Sequence, residues 1–188
     1  MNITKTLLPK QSLLHQTDFE YADSFQGTIN DQKEQLSTKD IGKAFFNSAP
    51  KWTEHLFTLR NKLVAVFGVK TSGEMQDKAV HLENFRCEPN EQIGLFKVYH
   101  RNENEVILGE DDRHLNFRVS LYLTPSAEQS ELKHLIISTT VHFNNFWGKL
   151  YFMPVKQFHQ WIVPAMLKGI IRNLEKQLET EKGEPKIS

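Results

Sequence analysis

LNFRVSLYL, residues 115–123, alternates without a break. Leu115, Phe117, Val119, Leu121 and Leu123 fall on one side of an extended chain, with Asn116, Arg118, Ser120 and Tyr122 on the other. A period of two is the signature of a β-strand, whose successive side chains point to opposite faces. The pattern returns downstream, with Leu135, Ile137, Thr139, Val141 and Phe143 on one parity and Ser138, Thr140, His142 and Asn144 on the other. Residues 125–130 between them read as a turn. Upstream, Ile93 to Tyr99 is apolar except for Gly94 and Lys97 and reads as one strand; NEN at 102–104 is a turn, and Glu105 to Gly109 begins the return. GEDDRH, 109–114, is a charged corner. Strands joined this closely must pair antiparallel, because a parallel crossover takes a dozen or more residues.

Working outward, DFEYADSFQGTI at 18–29 places Phe19, Tyr21, Asp23 and Phe25 on one parity. Three aromatics mark a strand face on which Asp23 is the exception. Ser37 or Thr38 caps a short helix carrying Ile41, Ala44, Phe45 and Phe46. A stronger helix follows Pro50: Trp52, His55, Leu56, Leu59, Leu63, Val66 and Phe67 recur at three- and four-residue steps, ending at Gly68. Residues 70–78 read as a surface excursion. After the strands, Trp147, Tyr151, Val155, Phe158, Ile162, Ala165 and Met166 form a helical stripe, widened by Leu150, Trp161 and Leu167. Pro154 and Pro164 interrupt this run, which predicts an entry segment, a turn near Pro154 and a main helix over 156–179 bent near Pro164. The fold class is therefore α+β, an antiparallel sheet covered by a long C-terminal helix. Its predicted organisation is a lead-in over 1–16, one domain over 17–180 and a polar tail over 181–188.

Composition narrows the function. The 188 residues carry 23 Lys plus Arg against 23 Asp plus Glu, a formal net charge of zero. Nucleic-acid binding by a strong basic field is not supported by this balance. The single cysteine, Cys87, permits no internal disulfide and no cysteine-based zinc site, and suggests a reducing, cytoplasmic setting. No signal peptide and no run of about 20 apolar residues are apparent, so no membrane span is expected. The G-x-G-x-x-G, Walker, H-E-x-x-H and G-x-S-x-G patterns are all missing, so no cofactor is expected.

Two groups of residues carry chemistry in principle. Glu110, Asp111, Asp112, Arg113 and His114 pack carboxylates beside a histidine, a composition suited to a general base or a divalent metal, and equally to an ion-paired strand corner. The sequence does not single out a metal site. The second group is the semi-polar strand face of Arg118, Ser120, Tyr122, Ser138, Thr140 and His142, which lacks the Lys and Glu of an ordinary wet face. It lines a cavity on one reading and is a plain surface rich in strand-favouring hydroxyls on the other. Trp52, Trp147 and Trp161 fill the core or wall an apolar pocket.

DFEYADSF at 18–25, AFFNSAPKWTEHLFTLRNKLVAVFG at 44–68, LGEDDRHLNFRVSLYL at 108–123 and TTVHFNNFWGKLYFMPVKQFHQWIVPAML at 139–167 together resemble the bacterial DUF2867 family, similar to the START/Bet v 1-like helix-grip (SRPBCC) superfamily. The resemblance implies a helix-grip fold, with two short helices after the first strand, a curved antiparallel sheet wrapped around the last helix, and an enclosed cavity for an apolar molecule. It carries over no catalytic residue. Three functions follow as expectations. The first is a binding protein for a small apolar or amphipathic molecule, with Trp52, Arg118, Ser120, Tyr122, Thr140, His142 and Trp161 as ligand-binding candidates. The second is a polyketide cyclase- or hydrolase-like enzyme drawing acid and base from His142, His114, Asp111 and Arg118. The third is an interaction protein that exposes Phe158 or Trp161 and pairs as a homodimer.

Overall fold

The computed structural model describes residues 2–31, 35–48, 84–126 and 132–183. The helix predicted over 52–67, with Trp52, Arg60 and the excursion at 70–78, lies outside the described residues. The described residues form seven strands: β1 (Thr4–Thr6), β2 (Tyr21–Asn30), β3 (Gln92–Ile93), β4 (Phe96–Arg101), β5 (Glu105–Asp111), β6 (Leu115–Pro125) and β7 (Leu132–Phe143). Helix α1 covers Thr38–Asn47 and helix α2 covers Phe146–Gly183. The sheet runs in the order β1-β2-β7-β6-β5-β4-β3, and every pair is antiparallel. The early strand β2 is thus closed against the last strand β7, and the sheet curves around α2. This is a helix-grip fold.

Local chemistry sets the elements. Ser37 caps α1, and the Asp40 carboxylate accepts back from the Ser37 N–H at 3.1 Å, a reciprocal capping box. The segment expected as one strand over 93–99 is two, because Gly94 takes φ +58° and turns β3 into β4. Glycine is also required where α2 begins. A Cβ on Gly148 would collide with the His114 carbonyl oxygen, so the helix start docks directly on the β5–β6 corner.

Registers fix the faces. Phe25, Gly27 and Ile29 of β2 stand beside Ile137, Leu135 and Lys133 of β7, and Leu121 of β6 stands opposite Ile137. A Cβ on Gly27 would meet the Ile171 side chain of α2 at 2.5 Å, which marks this parity as the helix-facing side. There Phe25, Ile29, Val106, Leu108, Leu121, Leu135 and Ile137 pack with Ile41, Phe45 and Phe46 of α1 and Val163, Leu167, Ile170, Ile171 and Leu174 of α2. Cys87 is buried among them beneath Gly42, and burial pushes its thiol up to about 11, consistent with a packing role rather than a nucleophile.

Helix α2 departs from expectation in two ways. It continues through Pro154 with no break. Each proline frees the carbonyl four residues earlier; these belong to Leu150 and Gln160, both exposed, where water can take the bond. Its buried stripe is Phe152, Val163, Leu167, Ile170 and Leu174, not the one through Trp147, Phe158 and Trp161. The run is apolar on two faces, so three- and four-residue spacing had two solutions.

Residues 4–16 contribute to the fold. Strand β1 extends the sheet, and a 3-10 turn at Leu13–Gln16 lies on the face away from α2. There the buried Glu105 carboxylate accepts from the Ser12 hydroxyl at 2.5 Å, from the Leu13 N–H at 2.9 Å and from the Ser120 hydroxyl. Leu14 is buried beside this anchor.

Asp31 ties the end of β2 to α1. Its buried carboxylate meets Lys133 Nζ at 2.8 Å and accepts the N–H groups of Gln35 and Leu36 at 2.9 and 3.1 Å. Burial acts to raise its pKa, but the Lys133 ammonium and the two N–H donors outweigh it and hold the carboxyl below its ordinary value. A depressed folded pKa adds stability that is present above the unfolded value, about 3.9, and is lost as pH falls through the folded value. Urea unfolding at a series of pH values should therefore show Asp31→Asn less stable than the parent near neutrality, with the gap closing below about pH 4. A gap that stays constant into acid would mean that Asp31 is not the group responsible.

Candidate functional site

On the helix-facing side the apolar core is divided. The main cluster occupies one end. A second, smaller cluster of Leu115, Val141 and Phe152, with Tyr21, Phe143, Tyr151 and Val155 around it, occupies the other. Among the described residues only Phe117 borders both. Between them, at the point where β2 pairs with β7, Asp23 stands directly opposite Thr139. Both are buried.

Two side chains converge on Asp23. The Tyr21 hydroxyl donates to Oδ2 at 2.6 Å, and His159 of α2 brings Nδ1 to the same oxygen at 3.0 Å. Gln160 of α2 adds a hydrogen bond to the Tyr21 phenol. Burial raises the Tyr21 pKa well above its ordinary value, and the hydrogen bond to the Asp23 carboxylate raises it further, so the phenol stays a donor. A carboxylate can only accept, so His159 carries a proton on Nδ1 and turns Nε2 away. A carboxylate that holds an imidazole in this way orients it for proton exchange at Nε2.

The seam is not fully satisfied. Asp23 Oδ1 and Thr139 Oγ1 are both buried with no hydrogen-bond partner. Buried polar atoms are nearly always paired, since leaving one unmade costs about 1–3 kcal/mol. Two such atoms side by side across a strand pair, between two apolar clusters, mark the candidate site.

The residues expected from sequence are elsewhere. Arg118, Ser120, Tyr122, Thr140 and His142 share the opposite parity, together with Glu105, Ile107, Ser24 and Ser138. They face away from α2 and do not line the space between sheet and helix. Ser120, Ser138, Ser24 and Thr140 are buried all the same, and the Ser24 and Ser138 hydroxyls bond at 2.8 Å. Arg118 is committed: it pairs with Asp111 at 2.7 Å, donates to the Phe117 carbonyl at 2.9 Å and lies 3.7 Å over the Tyr99 ring. His142 Nδ1 is 3.2 Å from Glu20 Oε2 but is not aligned for a hydrogen bond. His114 contacts Asn145 at 3.2 Å in the β5–β6 corner. Asp111 and His142 are separated by the intervening Asn116, roughly 10 Å across two strand spacings. Of these four only Arg118 and Asp111 meet, as a structural ion pair. Trp161 is 70% exposed on the outer side of α2. No group of three metal-ligating side chains occurs among the described residues.

Sequence reasoning passed over the seam residues. His159 reads as a solvent-facing helix residue, but the buried stripe of α2 runs through it. Asp23 carried a signal, as the one charged residue on an aromatic strand face.

A family model described as "Protein of unknown function (DUF2867)" matches residues 15–166. The chain belongs to the DUF2867 family. The matched stretch contains Tyr21, Asp23, Thr139 and His159, so the whole seam lies within the DUF2867 segment. No curated protein matches the chain. Among solved structures, a conserved protein from Geobacillus kaustophilus is similar over 83% of this DUF2867 chain and 96% of its own, with 9% identity and a TM-score of 0.40.

Proposed function

We propose that this protein binds a small, largely apolar molecule between the sheet and α2, and that the molecule carries one hydroxyl or amine. The supporting observation is the pair of unpartnered buried atoms, Asp23 Oδ1 and Thr139 Oγ1, between two apolar clusters. Apolar walls with a few convergent polar groups are the usual make-up of a small-molecule site. The polarity of the pair narrows the ligand. Asp23 Oδ1 needs a donor, and Thr139 Oγ1 both donates and accepts. A hydroxyl meets both atoms at once, donating to the carboxylate and accepting from the threonine. An amine meets the carboxylate with a charge-assisted bond. A ketone or ester offers nothing to Oδ1.

The test is mass spectrometry of protein purified from its native host, under conditions that keep complexes intact and again after solvent extraction. The expected result is an added mass that extraction releases as an alcohol or amine with an apolar body. Protein that is consistently free of any such molecule, with a crystal structure in which protein atoms fill the seam, would remove the proposal.

A further inference from the structure

Six of the seven large apolar side chains that are exposed among the described residues lie on the first sixteen residues of α2. They are Phe146, Trp147, Leu150, Met153, Phe158 and Trp161, and Phe146 and Trp161 are each 70% exposed. At 100° per residue they fall within a sector of about 140°, centred opposite the buried stripe of Phe152 and Val163. The helix is therefore apolar on two sides and, among the described residues, covered on one. The exposed side is a ridge of bulky groups roughly 23 Å long.

Charge indicates what covers it. The chain is neutral overall, yet no Asp or Glu occurs between Glu131 and Glu175. Within that span α2 carries Lys149, Lys156, Lys168 and Arg172, all exposed; Lys168 and Arg172 continue the line of the ridge, while Lys149 and Lys156 flank it on the side of the sheet, with Nζ 6.0 Å from the centre of the Phe143 ring and 5.3 Å from that of Tyr21. A second copy docked on this face would set two stretches with cations and no acid against each other, because a two-fold interface meets itself. That repulsion disfavours self-association. The pattern instead suits a surface that is anionic and accepts protruding side chains without a matching groove. Trp and Phe sit well at the headgroup level of a bilayer, and Lys stems reach past them to the lipid phosphates. No helix among the described residues is long and apolar enough to cross a membrane, so such docking is peripheral.

We infer that residues 146–161 of α2 form a docking face for a membrane surface rich in anionic phospholipid. The inference does not depend on the ligand proposed above.

The test is flotation of the full chain with phosphatidylcholine vesicles, with and without phosphatidylserine. Binding to the anionic vesicles is expected, falling as salt is raised. Lys168→Gln with Arg172→Gln, at the basic end of the ridge, is expected to weaken it by about thirtyfold, as for two basic groups near an anionic leaflet. Trp161→Gln with Met153→Gln should also weaken it, and because these positions are exposed the thermal melt should stay unchanged. Equal binding to neutral vesicles would overturn the anionic preference. Failure to bind either vesicle would overturn the inference altogether. So would a dimer in light scattering that Trp161→Gln dissociates, since the occupant would then be a second copy; retention on an acidic protein column without vesicle binding would assign the face to an anionic protein instead.

Discussion

Replacing Glu105 by alanine is expected to lower the free energy of unfolding by about 3–5 kcal/mol, among the largest effects of any single change outside the apolar core. The reason is the number of donors that converge on one buried carboxylate. Oε1 takes the Ser12 and Ser120 hydroxyls and Oε2 takes the Leu13 N–H. Truncation leaves three donors facing apolar surroundings, each costing roughly 1–3 kcal/mol if it stays dry. Two of the three belong to the N-terminal segment, which can lift away and be rehydrated, so the sum is an upper bound. The loss should therefore be local as well as global. Urea unfolding should show the fall in stability, and amide exchange at Leu13 and Leu14 should accelerate beyond what the global change accounts for. Glu105→Gln keeps one acceptor oxygen, and the serine hydroxyls can rotate to accept from its amide, so an intermediate loss is expected. A cost under about 1 kcal/mol for the alanine variant would show that the segment is held by its apolar contacts, Leu14 chief among them.

This anchor also explains what the sequence could reveal and what it could not. The alternation at 115–123 and 135–143 specifies two strands and their pairing, and β6 and β7 follow it. Period two states which side chains share a face; it does not state which face meets the helix. Serine and threonine on a strand suit a wet surface, a cavity wall or a dry hydrogen-bonded layer. Here the semi-polar face is largely the third, with Ser120 on Glu105 and Ser24 on Ser138. The N-terminal residues that contribute to it lack periodicity, because a 3-10 turn and a three-residue edge strand are too short to show one. The ambiguity in α2 has a different origin. Its apolar residues occupy both sides, and a stripe through Trp161 scores as well as one through Val163. Choosing the stripe through Trp161 turned His159 outward and hid its partnership with Asp23. Where the sequence broke its own pattern it was more informative. Asp23 on an aromatic face is a local conflict, and such conflicts concentrate at functional sites.

Substitutions at the seam should separate a binding role from a packing role by the sign of their effects. Thr139→Val removes a buried hydroxyl oxygen that has no partner and keeps the β-branched shape that suits a strand. The fold loses no hydrogen bond, so stability is expected to hold or to rise by up to about 1 kcal/mol. A ligand hydroxyl that accepts from Thr139 loses that bond, so retention of the co-purifying molecule should fall by about tenfold. Asp23→Ala moves both quantities the same way. It deprives the Tyr21 hydroxyl and His159 Nδ1 of their shared acceptor, with an expected stability loss of about 2–4 kcal/mol, and it removes the proposed ligand acceptor as well. Asp23→Asn is the most discriminating change. Its carbonyl can still take the Tyr21 hydroxyl, while its amide replaces the unpartnered Oδ1 with a donor. The site then prefers a carbonyl to a hydroxyl, so bound alcohol should be lost and the corresponding ketone gained. Extraction and mass spectrometry of the three variants, beside their thermal melts, give the outcome. If Thr139→Val destabilises the fold by more than about 1 kcal/mol, its hydroxyl has a structural partner and the seam is packing. If all three variants retain the same molecule, that molecule is bound somewhere other than at Asp23.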